Sequence, residues 1–170
     1  MDYSLMPKVR MQTVVDQVTR AASWLATHAQ NFNGDPSRLS VSGHSAGAHL
    51  CAMMLRQESP VQASSSLLLS GIYDIAPLRD SFLQPLISIT DDEVQQFSPL
   101  HLTMRSSDDV RILVGKAETA PFHTQAAQLS AKLNTHVETL DGNHMSVALD
   151  LGDRATDAGK ALMSTCGHRA

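Results

Sequence analysis

Leu39-Ser40-Val41-Ser42-Gly43-His44-Ser45-Ala46-Gly47-Ala48-His49-Leu50 constrains this chain more than any other stretch. A short apolar segment runs into Gly43-His44-Ser45-Ala46-Gly47, a G-x-S-x-G pattern, and on into Leu50-Cys51-Ala52-Met53-Met54-Leu55. That order predicts a strand, a sharp turn and a buried helix. A serine at the centre of such a turn is held in strained backbone, with its hydroxyl projecting from the top of a sheet. Gly43 and Gly47, two before and two after the serine, are expected to run so close to backbone that a Cβ would clash. The following helix aims its first N–H groups at the serine, so the Ala46 N–H is a candidate donor to an oxyanion. The competing reading is a glycine-rich turn with a solvent serine, and the strand–turn–helix context argues against it.

The rest of the chain alternates in the same way. Residues 2–7 read as the end of a strand entering a loop, with Pro7 disfavouring helix at Met6. Val14, Val18, Ala21, Ala22, Leu25 and Ala29 fall on one helical face, predicting a helix from about Val9 to Gln30, with Trp24 and His28 packing in the core or at its rim. Asn33-Gly34-Asp35-Pro36 marks a turn before the strand Leu39–Gly43. The helix from about Ala46 to Gln57 is apolar nearly all round and therefore buried. Leu67-Leu68-Leu69, within Ser65–Gly71, suits a strand covered on both faces. Ile72–Ile89 reads as irregular or as short turns, and Thr90-Asp91-Asp92-Glu93 is a capping box that opens a short helix. Asp108-Asp109 lead into a strand Val110–Gly115, followed by a helix Phe122–Leu133, a strand His136–Leu140, a turn Asp141–His144 and a helix from about Asp153 to Ser164. Such alternation predicts an α/β fold, a mostly parallel sheet with helices on both faces. Sites in these sheets form in loops at the carboxyl ends of the strands.

Three of those loops carry usable groups: Ser45, then Glu118 after Val114-Gly115, then His144 after Leu140. A serine hydroxyl is a weak nucleophile until a base takes its proton. His144 is the candidate base, because it alone of eight histidines sits on a turn after the last strand, whereas His44 lies in the turn and His49 in the helix behind it. His28, His101, His123, His136 and His168 fall on helices, connecting turns, a strand start and the tail. An acid must then fix the histidine tautomer. Chain order favours Glu118, and Asp74, after the Leu67–Gly71 strand, is the alternative acid unless its carboxylate serves only to fix its own loop. No metal site is expected, since His44 and His49 are five apart and the cysteines form no C-x-x-C. No cofactor is expected.

Gly43-His44-Ser45-Ala46-Gly47-Ala48-His49-Leu50 resembles the nucleophile turn of the kynurenine formamidases (arylformamidases), of the esterase/lipase group of α/β-hydrolases. The resemblance extends to Asp2–Pro7, Gly34-Asp35-Pro36, Ser70-Gly71-Ile72-Tyr73-Asp74, Ser98-Pro99, Val114-Gly115 with Glu118, Phe122-His123-Thr124-Gln125, and Asn143-His144. It implies hydrolysis of N-formyl-kynurenine to kynurenine and formate in tryptophan breakdown, with Ser45, Glu118 and His144 as the triad. The family often has aspartate at the position of Glu118. It also carries an upstream His-Gly-Gly motif that this chain lacks, which implies a single partial α/β-hydrolase domain, residues 1–170, running from about the fourth strand onward. The expectation is then an unpaired edge at Leu39–Gly43 and a chain of low stability and activity by itself. The alternatives are a small-acyl carboxylesterase and a non-catalytic binding domain of the same fold.

Composition narrows the partners. With 170 residues and a net charge of -4, the chain is long enough for a sizeable core and carries no basic footprint for nucleic acid. No apolar run approaches a membrane span, and Met1-Asp2-Tyr3-Ser4 does not open a signal peptide. Two cysteines, Cys51 and Cys166, make no disulfide framework and point to the cytoplasm. A small-molecule substrate is the expected partner, with a homodimer among the assemblies allowed.

Overall fold

Strands form here where apolar, β-branched or leucine-rich runs are short and bounded by turn residues. The computed structural model describes residues 2–105 and 109–167. In chain order, helix α1 (Met11–His28) precedes strand β1 (Ser40–His44), helix α2 (Ala46–Met54) and strand β2 (Ser65–Leu69). The short helix α3 (Gln84–Ile87), helix α4 (Asp91–Phe97) and strand β3 (Val110–Gly115) follow. Helix α5 (Ala120–Leu133), strand β4 (Val137–Leu140), helix α6 (Ser146–Asp150) and helix α7 (Asp157–Thr165) complete the order. Asp108 and His168 lie outside the described residues.

Among the described residues four strands lie in the order β1-β2-β3-β4, and every neighbouring pair is parallel. Side chains alternate across the sheet. Val41, Leu68 and Ile112 join one core layer with Val15 and Val18 of α1, Leu50 and Met53 of α2, and Leu129 of α5. Leu67, Leu69, Leu113 and Leu140 face the other way, against Val147 of α6 and Ala158 and Ala161 of α7. Every residue of β2 is buried, as a parallel strand covered on both faces requires.

Three expectations need correction. Residues 2–5 form no strand and lead into a turn, so Asp2–Leu5 is irregular rather than a strand end. The apolar stripe of α1 buries Val14, Val18 and Ala22, and Ala29 is buried just past its end, but Leu25 and Trp24 are exposed. Trp24 stacks on His28 at the rim, one turn on, with ring centroids 4.4 Å apart. The last long helix begins at Asp157, because the Thr156 hydroxyl caps it by accepting from Gly159 N–H at 3.0 Å. Glycine also matters at Gly159, where a Cβ would meet the Asp153 carbonyl.

Helix α1 has no side-chain cap of its own. Its Met11 N–H is instead satisfied by Glu93 Oε1 at 3.2 Å, and Arg10 pairs with the same carboxylate. Glu93 also closes the predicted capping box with Thr90. One carboxylate thus serves the N-termini of α1 and α4, where unsatisfied N–H groups and the helix dipole both favour negative charge.

Candidate functional site

The ladder continues past the strand ends and brings their loops together. Ser45 N–H donates to Leu69 O at 3.0 Å, Ser70 N–H to Leu113 O at 2.8 Å, and Lys116 N–H to Leu140 O at 2.7 Å. Ser45, Ser70, Glu118 and His144 therefore stand along the carboxyl edge of the sheet. Ser45 itself has φ 55° and ψ -118°, a left-handed conformation that a serine adopts only where the fold imposes it. The turn tolerates no Cβ at Gly43, which would lie 2.3 Å from the Gly47 carbonyl carbon and oxygen. Gly47 differs from its expectation: a Cβ there would have nothing within 4 Å. The close approach is that of Gly43 onto the Gly47 backbone, while Gly47 lines a groove beside β1.

His144 Nε2 lies 3.0 Å from Ser45 Oγ, and His144 Nδ1 lies 2.7 Å from Glu118 Oε2. The carboxylate side chain is fully buried. Burial is the largest influence on Glu118 and raises its pKa, but hydrogen bonds from the Ser70 hydroxyl, from His144 and from the Gly115 N–H outweigh it, and the net shift is downward. Glu118 is therefore an ionised acceptor. It accepts a hydrogen bond from the Nδ1–H, which leaves Nε2 as the nitrogen that accepts from Ser45 O–H. Such a relay can draw the serine proton onto the imidazole and hold the resulting cation against a buried anion.

Asp74 is placed otherwise. Its Oδ1 accepts from Ala76 N–H at 2.9 Å and from Ser98 Oγ at 3.4 Å, and its Oδ2 lies 3.8 Å from His101. Gln125 fixes this loop by accepting from the N–H groups of Tyr73 and Asp74 at 2.6 and 2.9 Å. Asp74 thus holds its own loop, and Glu118 holds the histidine. His49 is buried with Nε2 2.7 Å from the Phe97 carbonyl, which ties α2 to the end of α4.

Several contributors lie beyond the sequence reading. Ser70, with φ 52°, turns its hydroxyl onto Glu118. Its signal was its place directly after β2, in the ring of loops that carries the other groups. The His144 ring is flanked by two others, His44 at 4.4 Å and Phe122 at 4.6 Å between centroids. Burial first, and then the nearby His144, lower the pKa of His44, which favours the uncharged ring there. Asn143 caps the turn by accepting from Met145 and Ser146 N–H, each at 3.0 Å, and so sets the loop that presents His144. Ala46, whose N–H the sequence already offered as an oxyanion donor, is the first residue of α2, exposed beside Ser45, and an N–H at that position has no intrahelical acceptor.

Two cavities open at Ser45. One, about 530 Å³, reaches from His144 and Phe122 past Asp74 to Phe82. The other, about 270 Å³, runs behind Ala46. A further concavity, about 690 Å³ between residues 2–4 and α1, touches none of Ser45, Glu118 or His144.

The family model for the alpha/beta hydrolase fold matches residues 1–118. The chain belongs to that family. Among curated α/β-hydrolase relatives, kynurenine formamidase of Danio rerio is 28% identical over 97% of this chain and 60% of its own length. Kynurenine formamidase of Drosophila melanogaster is 25% identical over 74% of this chain and 46% of its own. Among solved structures, the carboxylesterase EstE1 from a metagenomic library superposes with a TM-score of 0.75 at 18% identity, covering 98% of this chain and 67% of EstE1. Carboxyl esterase 2 of Tuber melanosporum gives 0.71 at 18% identity, over 98% of this chain and 64% of its own. The two structural likenesses speak to the fold. The chain spans 46 to 60% of the length of the two formamidases. Among the described residues no helix is long and apolar enough to cross a membrane.

Proposed function

We propose that this α/β-hydrolase acts through a covalent acyl-serine on Ser45, with His144 as general base and acid and Glu118 as the group that orients it. The observation that carries the reading is the continuous chain from Ser45 Oγ through His144 to the buried Glu118, at 3.0 and 2.7 Å. In the first half-reaction Ser45 Oγ attacks the carbonyl carbon as its proton passes to His144 Nε2. The oxyanion is held by the Ala46 N–H, and His144 returns the proton to the departing nitrogen or oxygen. In the second, water attacks the acyl-serine with His144 again taking the proton, and Ser45 is regenerated. Water is the only co-reactant.

The substrate reading is N-formyl-kynurenine, cleaved to kynurenine and formate. Its support is the formamidase relatives and the cavity beside His144, where Phe82, Pro121 and Phe122 offer flat apolar surface to an aromatic amine. A second reading, a small-acyl carboxylesterase, is favoured by the apolar cavity behind Ala46, which a formyl group leaves empty. A dissolved small substrate and the cytoplasm fit both readings, as do the unpaired cysteines, Cys51 buried and Cys166 exposed. The test is turnover of N-formyl-kynurenine and of p-nitrophenyl acetate by the chain and by Ser45→Ala. The variant is expected to lose turnover of both while keeping its circular dichroism spectrum, with residual rates no more than about 10³–10⁴ over water. Near-normal turnover by Ser45→Ala would refute the nucleophile.

A further inference from the structure

Ser45 and Glu118 hold the His144 ring by its two nitrogens, at 3.0 and 2.7 Å. Two such bonds fix the ends of the ring but leave it free to rotate about the line that joins them. Rotation swings the in-plane lone pair of Nε2 off the Ser45 O–H, and a hydrogen bond weakens steeply as its angle falls. Packing against the ring is what can resist that motion. Two rings pack there, His44 and Phe122, with centroids 4.4 and 4.6 Å from that of His144 and planes inclined to it by 46° and 38°. They are placed differently. Phe122 lines the cavity that reaches from His144 to Phe82, so a bound molecule there touches it. His44 lines neither cavity at Ser45. It is the last residue of β1, in register with Leu69 of the fully buried β2, so the sheet fixes the point from which its ring projects. Its Nε2 is buried and has no hydrogen-bond partner among the described residues. Protonation makes both ring nitrogens donors and would leave a charged Nε2–H without an acceptor, which disfavours the cation. The titratable groups that act on His44 are His144, after β4, and Glu118, after β3. From α5 it is the uncharged Phe122 that meets His144.

We propose that His44 is a positioning residue, whose ring, fixed by β1, holds the His144 imidazole in line with Ser45 Oγ and Glu118. The proposal rests on the acyl-transfer reading of Ser45 and adds a residue that acts through the base without touching substrate. The position asks for two properties, a flat ring and no charge. In each half-reaction His144 carries a proton taken from Ser45 or from water, and a second cation packed on its ring would oppose that. A neutral imidazole supplies the ring and leaves the charge of Glu118 unopposed. Misplacing a reacting group by about 1 Å costs about 10²-fold in rate. A loosened His144 is therefore felt in kcat, while KM depends on cavities that His44 does not line.

The experiment measures kcat and KM for p-nitrophenyl acetate in the parent chain and in His44→Ala, His44→Leu, His44→Phe and His44→Arg, with Ser45→Ala as control and circular dichroism to verify folding. His44→Ala is expected to lower kcat by about 10–100-fold with KM unmoved. His44→Leu fills the site without a ring and gives the same comparison if the alanine variant fails to fold. His44→Phe restores a flat, uncharged ring and should recover most of the loss. His44→Arg sets a permanent charge beside His144. It should move the His144 titration midpoint, followed by NMR of its ring C–H, to lower pH than in the parent, because a like charge disfavours the imidazolium. The rising limb of kcat/KM against pH should move with it. A structural role alone would lower stability and leave that midpoint in place. Parent-like kcat in the ring-less variants, a loss that appears in KM instead, equal losses in the leucine and phenylalanine variants, or an unmoved midpoint in His44→Arg overturns the positioning role and leaves the hydrolase reading standing. Turnover that survives Ser45→Ala, or none by the parent, overturns the hydrolase reading and the positioning role with it.

Discussion

Glu118 divides its work between two oxygens: Oε2 faces His144 and Oε1 accepts from Ser70 and the Gly115 N–H. Replacing it with glutamine keeps the size and removes the charge that steadies an imidazolium. Glu118→Gln is therefore expected to lower kcat by about 10³–10⁴-fold with little change in KM. Asp74→Asn should cost far less, because Asp74 bonds to its own loop. Steady-state kinetics on the two variants compares them directly, and equal losses would reverse the assignment of the acid. The two glycines of the turn make a second contrast. Gly43→Ala drives a methyl into the Gly47 backbone and is expected to destabilise severely or prevent folding. Gly47→Ala meets open space inside a helix and should be neutral or stabilising by about 0.5–1 kcal/mol. Urea midpoints of the two variants give the answer, and similar losses would mean that both positions are crowded.

At the scale of elements, α1 and α4 share one anchor. Burial raises the pKa of Glu93 more than any other single influence, but bonds from Arg10 and from the Thr90 and Met11 N–H groups outweigh it, and the net shift is downward. The sign follows. A carboxylate with a depressed folded pKa contributes stability that is fully present above its unfolded value of about 4.3 and lost as pH falls through the lower folded value. Urea midpoints of the unsubstituted chain are expected to drop as pH falls below about 4.3, and Glu93→Gln should flatten that drop. A variant whose midpoint falls as steeply as the parent's over the same range would remove Glu93 as its source. The element boundaries that the sequence placed well are those with a local signal, such as the Thr90 capping box and the apolar β2 and β3. The start of α1 was less legible, because the acceptor for its Met11 N–H lies 82 residues away.

Across the whole molecule, the sheet buries its middle strands and leaves β1 paired on one side only among the described residues. Ser42 is exposed there, and a row of unpaired backbone groups on an edge strand invites another strand. The chain is expected to self-associate as concentration rises, and Ser42→Lys to suppress this by placing a charge on the edge. Light scattering across a dilution series measures both; a parent chain that stays monomeric, or a lysine variant that associates equally, would show that β1 is not the contact. The open edge is the expected consequence of the strand order, and it lies beside the nucleophile turn.

What the sequence determined by itself is local or ordinal. The strand–turn–helix around Ser45 follows from Gly43 and the apolar runs on either side, within a dozen residues. The parallel α/β class follows from alternation, and the candidacy of Ser45, Glu118 and His144 from their order and their places just after strands, here β1, β3 and β4. Tertiary structure decided everything that depends on distant contact. Glu118 rather than Asp74 meets His144, and Gln125, 51 residues on, holds the Asp74 loop in place. Ser70 meets Glu118 across 48 residues, and His144 meets Ser45 across 99. The packing of His44 and Phe122 on His144 and the apolar cavity behind Ala46 are likewise invisible to periodicity. Such contacts are set by strand register and by how the helices pack on the two faces of the sheet. A residue's near neighbours carry no record of either.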